Sequence, residues 1–342
     1  MKGYNVAIVG ATGLVGQEFI RVLEQRRFPF AELRLLASDR SVGRQMHAAG
    51  RELVVKEATE DAFRDIELAL FSAGTDVSAR LAPAAARAGA VVVDNSAAFR
   101  MHDDVPLVVP EVNPEDVAWH RGIIANPNCS TVQMVVALNP LHRVNRIRRV
   151  VVATYQSVSG AGAPAVDELR EQVQAWAAGQ PAGEAQALPQ PIAFNVVPHI
   201  DAFLDNDYTK EEWKMVQETR KIMHEPDLAV SATTVRVPVV VGHSEAIWVE
   251  FERPFPPDEA RAVLRQAPGV VVVDDPARKE YPLPTTATGT DPVYVGRIRA
   301  DLSHPNGLVL WVVADNLRKG AALNAVQIAE LLAARAPVAG RP

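Results

Sequence analysis

The chain opens on a short apolar run, Tyr4-Asn5-Val6-Ala7-Ile8-Val9, which reads as a buried strand. After Gly10 the spacing changes: Leu14, Phe19, Val22 and Leu23 recur at helical intervals, predicting a helix to about Arg27. Further short β-rich runs follow at residues 33–37, 53–55, 68–71, 90–93 and 122–125, with helical patterns such as 76–88 between several of them. Alternation of this kind predicts an α/β domain with a mostly parallel, doubly wound sheet. Val132, Val135, Val136, Leu138 and Leu141 then mark a helix over 130–141. Beyond it the character changes. Longer β-rich runs at 148–158, 231–241, 245–251, 294–298 and 308–313 have fewer helices between them, predicting an α+β domain with an antiparallel or mixed sheet. A last helix, 318–335, is expected to return to the first domain. The stretch 179–191, rich in Pro, Gly, Ala and Gln, reads as a surface excursion or an oligomer arm.

Composition narrows the function classes. At 342 residues the chain is long enough for two domains, and 48% hydrophobic with 22% charged residues is ordinary for a soluble globular protein. A net charge of −6 gives no electrostatic footprint for nucleic acid. One cysteine excludes an internal disulfide framework and suits a reducing compartment. No uncharged apolar stretch approaches the roughly 20 residues that span a bilayer. The first strand lies so close to Met1 that no signal peptide is expected, which predicts a cytoplasmic protein.

Two local features carry chemistry. Gly10-Ala11-Thr12-Gly13-Leu14-Val15-Gly16 joins the first strand to its helix, where glycines allow a tight turn and close approach to a pyrophosphate. The spacing is G-x-x-G-x-x-G, a variant of the usual fingerprint, and the plainer alternative is a tight turn with no ligand. The second feature is Cys129, in Asn126-Pro127-Asn128-Cys129-Ser130-Thr131, between a short strand and a helix. A thiol on the first turn of a helix meets unpaired N–H groups and the positive end of the dipole, which favour a thiolate. A lone cysteine can also be a small buried hydrophobe. The polar, turn-forming neighbours argue for the first reading.

In order and spacing, several segments resemble those of aspartate-β-semialdehyde dehydrogenases: GATGLVG (10–16), FSAG (71–74), DNSAAFR (94–100), VPLVVPEVN (105–113), NPNCST (126–131), TYQSVSGAG (154–162), DNDYTKEEWKM (205–215), RVPVVVGHSE (236–245) and DNLRKGAALNAVQIAE (315–330). The resemblance runs over nearly the whole chain. It implies a Rossmann-type dinucleotide-binding domain over 1–128, completed by the C-terminal helix 318–342, and a catalytic and dimerisation domain over 129–317. The implied activity is NADP-dependent reductive dephosphorylation of aspartyl 4-phosphate to the semialdehyde, toward lysine, methionine and threonine. The implied assembly is a homodimer or homotetramer, with no metal.

The resemblance also assigns residues. Cys129 would be the nucleophile and His243 the general acid/base. Gln156 would orient the substrate, although a strand-end amide is the plain alternative. Arg236 would grip the substrate carboxylate through a bidentate pair and Glu211 its ammonium group. Arg100, Asn128 and Lys214 would hold phosphate. Against these stand a solvated helix ion pair for Glu211 and Lys214, and ordinary surface arginines for Arg100 and Arg236. The cofactor would meet Gly10, Thr12, Gly13, Leu14, Val15, Gly16, Ser38, Arg40, Ser41, Ser72, Ala73, Ser159, Gly160 and Asn316. Ser159 and Gly160 could be a plain turn and Asn316 a helix N-cap. Arg40 and Ser41 favour the 2′-phosphate of NADP, whereas Asp39 beside them leans toward NAD. Competing readings are a related acyl-phosphate reductase such as N-acetyl-glutamyl-phosphate reductase, a noncatalytic nucleotide-binding scaffold, and a cysteine hydrolase.

Overall fold

A computed structural model describes residues 3–181 and 183–335. In chain order the elements are β1 (Tyr4–Val9), α1 (Leu14–Gln25), β2 (Phe30–Ala37), β3 (Gln45–Ala48), β4 (Arg51–Val54), β5 (Lys56–Glu57), β6 (Leu68–Phe71), α2 (Thr75–Arg87), β7 (Val91–Asp94) and β8 (Ile123–Ala125). There follow α3 (Cys129–Val144), β9 (Ile147–Gln156), α4 (Ala163–Ala177), α5 (Lys210–Ile222), β10 (Ala229–Arg236), β11 (His243–Phe251) and α6 (Pro257–Gln266). The last are β12 (Val270–Val272), α7 (Pro284–Ala287), β13 (Val293–Ala300), β14 (Gly307–Ala314) and α8 (Leu323–Arg335). They form two compact units, Met1–Asn128 with Ala321–Pro342, described as far as Arg335, and Cys129–Gly320.

The first unit is a six-stranded sheet in the order β5-β2-β1-β6-β7-β8. Every pairing in it is parallel, the doubly wound pattern expected from the alternation. Val6 and Ile8 of β1 share a core cluster with Phe19, Val22 and Leu23 of α1 and with Leu323 and Val326 of α8. Each such fully buried side chain contributes roughly 1.5–3 kcal/mol relative to exposure. The run 53–55 does not join this sheet. Leu53 and Val54 lie in β4, which pairs antiparallel with β3 in a separate hairpin, turned through Ala49 and Gly50 at positive φ, and Val55 lies just past its end. The expected helix beginning at Arg318 starts as a π-helical stretch, Arg318–Ala322, before α8, and residues 336–342 of the expected 318–342 helix lie outside those described.

The second unit carries the mixed sheet, in the order β10-β9-β11-β14-β13-β12. β9, β11, β14 and β13 run antiparallel, with β10 parallel to β9 and β12 parallel to β13. The run 231–241 is not one strand. β10 ends at Arg236, because Pro238 lacks a backbone donor and Gly242 turns the chain at φ +98. The 179–191 segment, apart from residue 182, which lies outside those described, is bound to α4. Glu168 accepts from the N–H groups of Gln186 and Ala187, and Leu188 joins a buried cluster with Ala165 and Leu169 of α4. No helix among the described residues is long and apolar enough to cross a membrane.

Candidate active site

The topology of the second unit brings four chain segments to one sheet edge. Because β10 runs parallel to β9, their carboxyl ends pair, Arg236 opposite Gln156. Because β11 runs antiparallel to β9 and β14, its first residue, His243, pairs with Ala314 at the end of β14. Gln156, Arg236, His243 and the Asp315-Asn316 turn therefore meet without any long-range loop having to fold back. The positions of Gln156, Arg236 and His243 are products of strand register.

His243 is fully buried. Its Nδ1 accepts the backbone N–H of Ser157 at 3.0 Å and lies 3.0 Å from the Ser157 hydroxyl, while Nε2 has no protein partner. Burial, and then the positive charge of Arg236, hold its pKa well below the ordinary histidine value, so the ring is neutral. Arg236 is only 6% exposed. Its Nη1 donates to the Ser157 carbonyl at 2.8 Å, and burial lowers its pKa against the opposing pull of Glu211 and Cys129. Buried like this, it is no ordinary surface arginine. Gly160 fits against both groups: a Cβ there would come 2.9 Å from Arg236 Nη1 and 3.2 Å from His243 Nε2.

Around this pair lies a polar chain. Gln156 Nε2 donates to Glu211 Oε1 at 3.2 Å, and Lys214 Nζ bridges Glu211 Oε2 at 3.2 Å and Asp201 Oδ2 at 2.7 Å. Glu211 and Lys214 do form the helix ion pair, but Glu211 is buried at 6% exposure rather than solvated. The N-cap of α5 is a Thr209–Glu212 capping box, which fixes the helix that presents both residues.

Cys129 is the first residue of α3, whose first turn contains no acidic side chain, and it is partly exposed. Gly320, in the π-helical stretch, packs on it so closely that a Cβ there would lie 2.8 Å from Cys129 Cβ. Asn316 is not the cap of that stretch. Asp315 takes the role, its Oδ1 accepting the N–H groups of Leu317 and Arg318, and Asn316 turns to Ser157, Ser159 and Gly242. The sequence offered no signal for Ser157, since a serine at a strand end is commonplace.

In the first unit, Gly10 adopts φ +86, and a Cβ on it would sit 2.2 Å from the Ser72 carbonyl oxygen. A Cβ on Gly16 would lie 2.1 Å from the Gly10 carbonyl oxygen. These two glycines let α1 start directly against β1, whereas a Cβ on Gly13 would touch little beyond Gly10. The N-terminus of α1, Leu14-Val15-Gly16, has neither a side-chain cap nor an acidic first turn, so its N–H groups and dipole suit a pyrophosphate. Ser41 Oγ lies 3.4 Å from Thr12 Oγ1, joining the turn after β2, which carries Ser38 and Arg40, to the glycine turn. Ser72 and Ala73 follow β6 beside Gly10. These residues fit a dinucleotide. Arg100 is buried and donates to the Asn126 and Asn95 carbonyls, and Asn128 directly precedes α3.

Comparison with known proteins agrees with this architecture. Two family models match: "Semialdehyde dehydrogenase, NAD binding domain" over residues 5–120 and "Semialdehyde dehydrogenase, dimerisation domain" over residues 138–319. The aspartate-semialdehyde dehydrogenase of Aquifex aeolicus is 58% identical over 333 residues, covering 96% of this chain and 98% of that one. The crystal structure of aspartate semialdehyde dehydrogenase II complexed with ASA from Vibrio cholerae is 50% identical, with TM-score 0.95 over 98% of this chain and all of that one. That of the Candida albicans enzyme with NADP is 28% identical, with TM-score 0.75 over 97% of this chain and 99% of that one.

Proposed function

The chain belongs to the aspartate-semialdehyde dehydrogenase family, nicotinamide-dinucleotide-binding oxidoreductases of amino-acid biosynthesis, and on that premise we propose NADP-dependent reductive dephosphorylation of aspartyl 4-phosphate through a thioester on Cys129. The observation that carries this reading is the cysteine at the start of α3 within electrostatic reach of a buried arginine, which itself lies beside a neutral, buried histidine. An acyl phosphate needs a nucleophile that leaves a reducible acyl group, and a thiolate does both. Cys129 Sγ adds to the acyl carbon, the carbon–oxygen bond to phosphate breaks with its electron pair, and phosphate departs. The nicotinamide cofactor, when bound, supplies the hydride that reduces the thioester. His243 serves as acid and base toward the thiol and the tetrahedral oxygen. As the carbonyl re-forms, the carbon–sulfur bond breaks and its electrons return to Cys129.

Gln156, Glu211 and Arg236 are assigned to the substrate, the guanidinium fork to its carboxylate. Arg100, Asn128 and Lys214 are assigned to phosphate. Ser159, Gly160 and Asn316 are assigned to the nicotinamide end of the cofactor, and the residues of the glycine turn, Ser38, Arg40, Ser41, Ser72 and Ala73 to its remainder. NADP is favoured because the turn after β2, closed by the Ser41 N–H to the Ser38 carbonyl at 2.9 Å, carries Arg40 and Ser41, an arginine and a hydroxyl that suit a 2′-phosphate. Assembly as a homodimer or homotetramer in the cytoplasm completes the reading.

The test is phosphate- and NADP-dependent absorbance with aspartate semialdehyde, run beside NAD and the N-acetyl-glutamyl homologue. Activity with the semialdehyde that vanishes in Cys129→Ala is expected. Equal or better turnover of the acetylated substrate would overturn the substrate assignment, and a preference for NAD would overturn that of the cofactor.

A further inference from the structure

We propose that Asp201 is the positioning residue of Lys214 and divides the charge of the site between the two substrates. It draws the Lys214 ammonium off Glu211, so that Glu211 can take the ammonium group of the semialdehyde. In doing so it weakens the pull of Lys214 on phosphate. The inference rests on the assignment of Glu211 to the semialdehyde and of Lys214 to phosphate.

Two distances carry it. Lys214 Nζ lies 2.7 Å from Asp201 Oδ2 and 3.2 Å from Glu211 Oε2, so the ammonium leans toward Asp201. Glu211 meanwhile accepts from Gln156 Nε2 at 3.2 Å through its other oxygen. Asp201 is not a loose surface carboxylate, because its segment is tied on both sides to elements of the site. Before it, Val197 exchanges both backbone hydrogen bonds with Arg236 at the end of β10, at 2.9 and 2.8 Å. After it, the Ala202 carbonyl accepts the Lys210 N–H at the start of α5, at 2.8 Å. Asp201 itself adopts φ +68, and its Oδ1 accepts the Ala202 N–H at 2.8 Å while Oδ2 meets Lys214. The strand that presents Arg236 and the helix that presents Glu211 and Lys214 thus also place Asp201.

Counting charges gives the direction. A lysine shared by two carboxylates leaves the three groups with one net negative charge, whereas a lysine paired with Glu211 alone leaves none. A substrate ammonium nearing Glu211 is attracted in the first case and must displace Lys214 in the second. An anion nearing Lys214 meets the opposite balance. The side chains of Lys214 and Asp201 are 26% and 36% exposed, so water screens the effect to a few-fold.

The test is steady-state oxidation of aspartate semialdehyde, with each KM measured at saturating NADP and co-substrate. Asparagine tolerates a positive φ and can still accept the Ala202 N–H, so Asp201→Asn removes the charge and keeps the turn. It is expected to raise KM for the semialdehyde about two- to fivefold and to lower KM for phosphate by a similar factor, with kcat within about twofold. A purely structural role would raise both KM values. The two KM values moving in the same direction, or neither moving, overturns the proposal. If Asp201→Asn does not fold, Asp201→Gly, equally at ease at positive φ, carries the same expectations. Glu211→Gln at wild-type KM for the semialdehyde, or Lys214→Met at wild-type KM for phosphate, would instead overturn the assignments on which the proposal rests.

Discussion

Arg236 and Glu245 show how burial sets chemistry at single residues. A guanidinium is weakly hydrated and always charged, so it can sit 6% exposed with a carbonyl, Glu211 and Cys129 around it, where an ammonium would lose more. Arg236→Lys is expected to raise KM for the semialdehyde by about tenfold or more, with a smaller fall in kcat, because a point charge replaces a planar fork. Steady-state kinetics at saturating cofactor checks this, and an unchanged KM would remove Arg236 from substrate binding. Glu245 lies two residues along β11 from His243, fully buried. The Gln133 amide faces it, but neither side chain forms a hydrogen bond of good geometry, and burial raises the carboxyl pKa well above the usual value. The folded state therefore keeps this proton at pH values where the unfolded chain, with a pKa of about 4.3, has lost it. Stability from this group falls as pH rises from that value toward the raised one. Glu245→Gln removes the slope, so its melting temperature should gain on the wild type steadily from pH 5 to pH 8. A constant gap across that range would refute the buried neutral carboxyl.

At the scale of elements, the candidate active site depends on strand ends and on two helix starts held against backbone. Gly320 lies in a π-helical stretch, a rare form found often at functional sites, and its missing side chain lets Cys129 sit against it. Gly320→Ala puts a Cβ 2.8 Å from that of Cys129, so the cysteine or the stretch must shift. Activity is expected to fall by about 100-fold, the cost of misplacing a reacting group by roughly an ångström, with far-UV circular dichroism unchanged. Wild-type turnover in that variant would show that the close packing does not position the sulfur. Much of this was legible beforehand. β1, the glycine turn and α1 followed from an apolar run that switches period at Gly10, and α3 from its spacing after Cys129. The hairpin of β3 and β4 was not legible, because a three-residue apolar run looks the same in a hairpin as in a parallel sheet. Nor did apolarity show where β10 ends, since Val237, Val239, Val240 and Val241 continue the pattern after Pro238 has broken the ladder. Asp315 and Asn316 could exchange capping roles on sequence grounds, and only the fold assigns the cap to Asp315.

For the whole molecule, two units divide the work: one presents a glycine turn to a dinucleotide, the other gathers titratable groups at a sheet edge. The second unit leaves one sheet face only half covered. Tyr155 and Trp248 are each 38% exposed, and Trp311, Val151, Ala153 and Ala246 adjoin them through the register of β9, β11 and β14. An aromatic and aliphatic face of this kind suits association with a second copy. Trp248→Glu places a charge there and is expected to shift sedimentation from dimer or tetramer toward monomer; an unchanged species would move the interface elsewhere. All of the chemistry assigned to the molecule passes through one acylated sulfur, and that can be caught directly. Enzyme mixed with aspartate semialdehyde and NADP in the absence of phosphate has no acceptor for the acyl group, so it should stop after one hydride transfer. Rapid-mixing absorbance should show a burst of one NADPH per active site, and peptide mass spectrometry after acid quench should find the matching acyl group on Cys129. Steady turnover without a burst, or an acyl group on any other residue, would contradict the account.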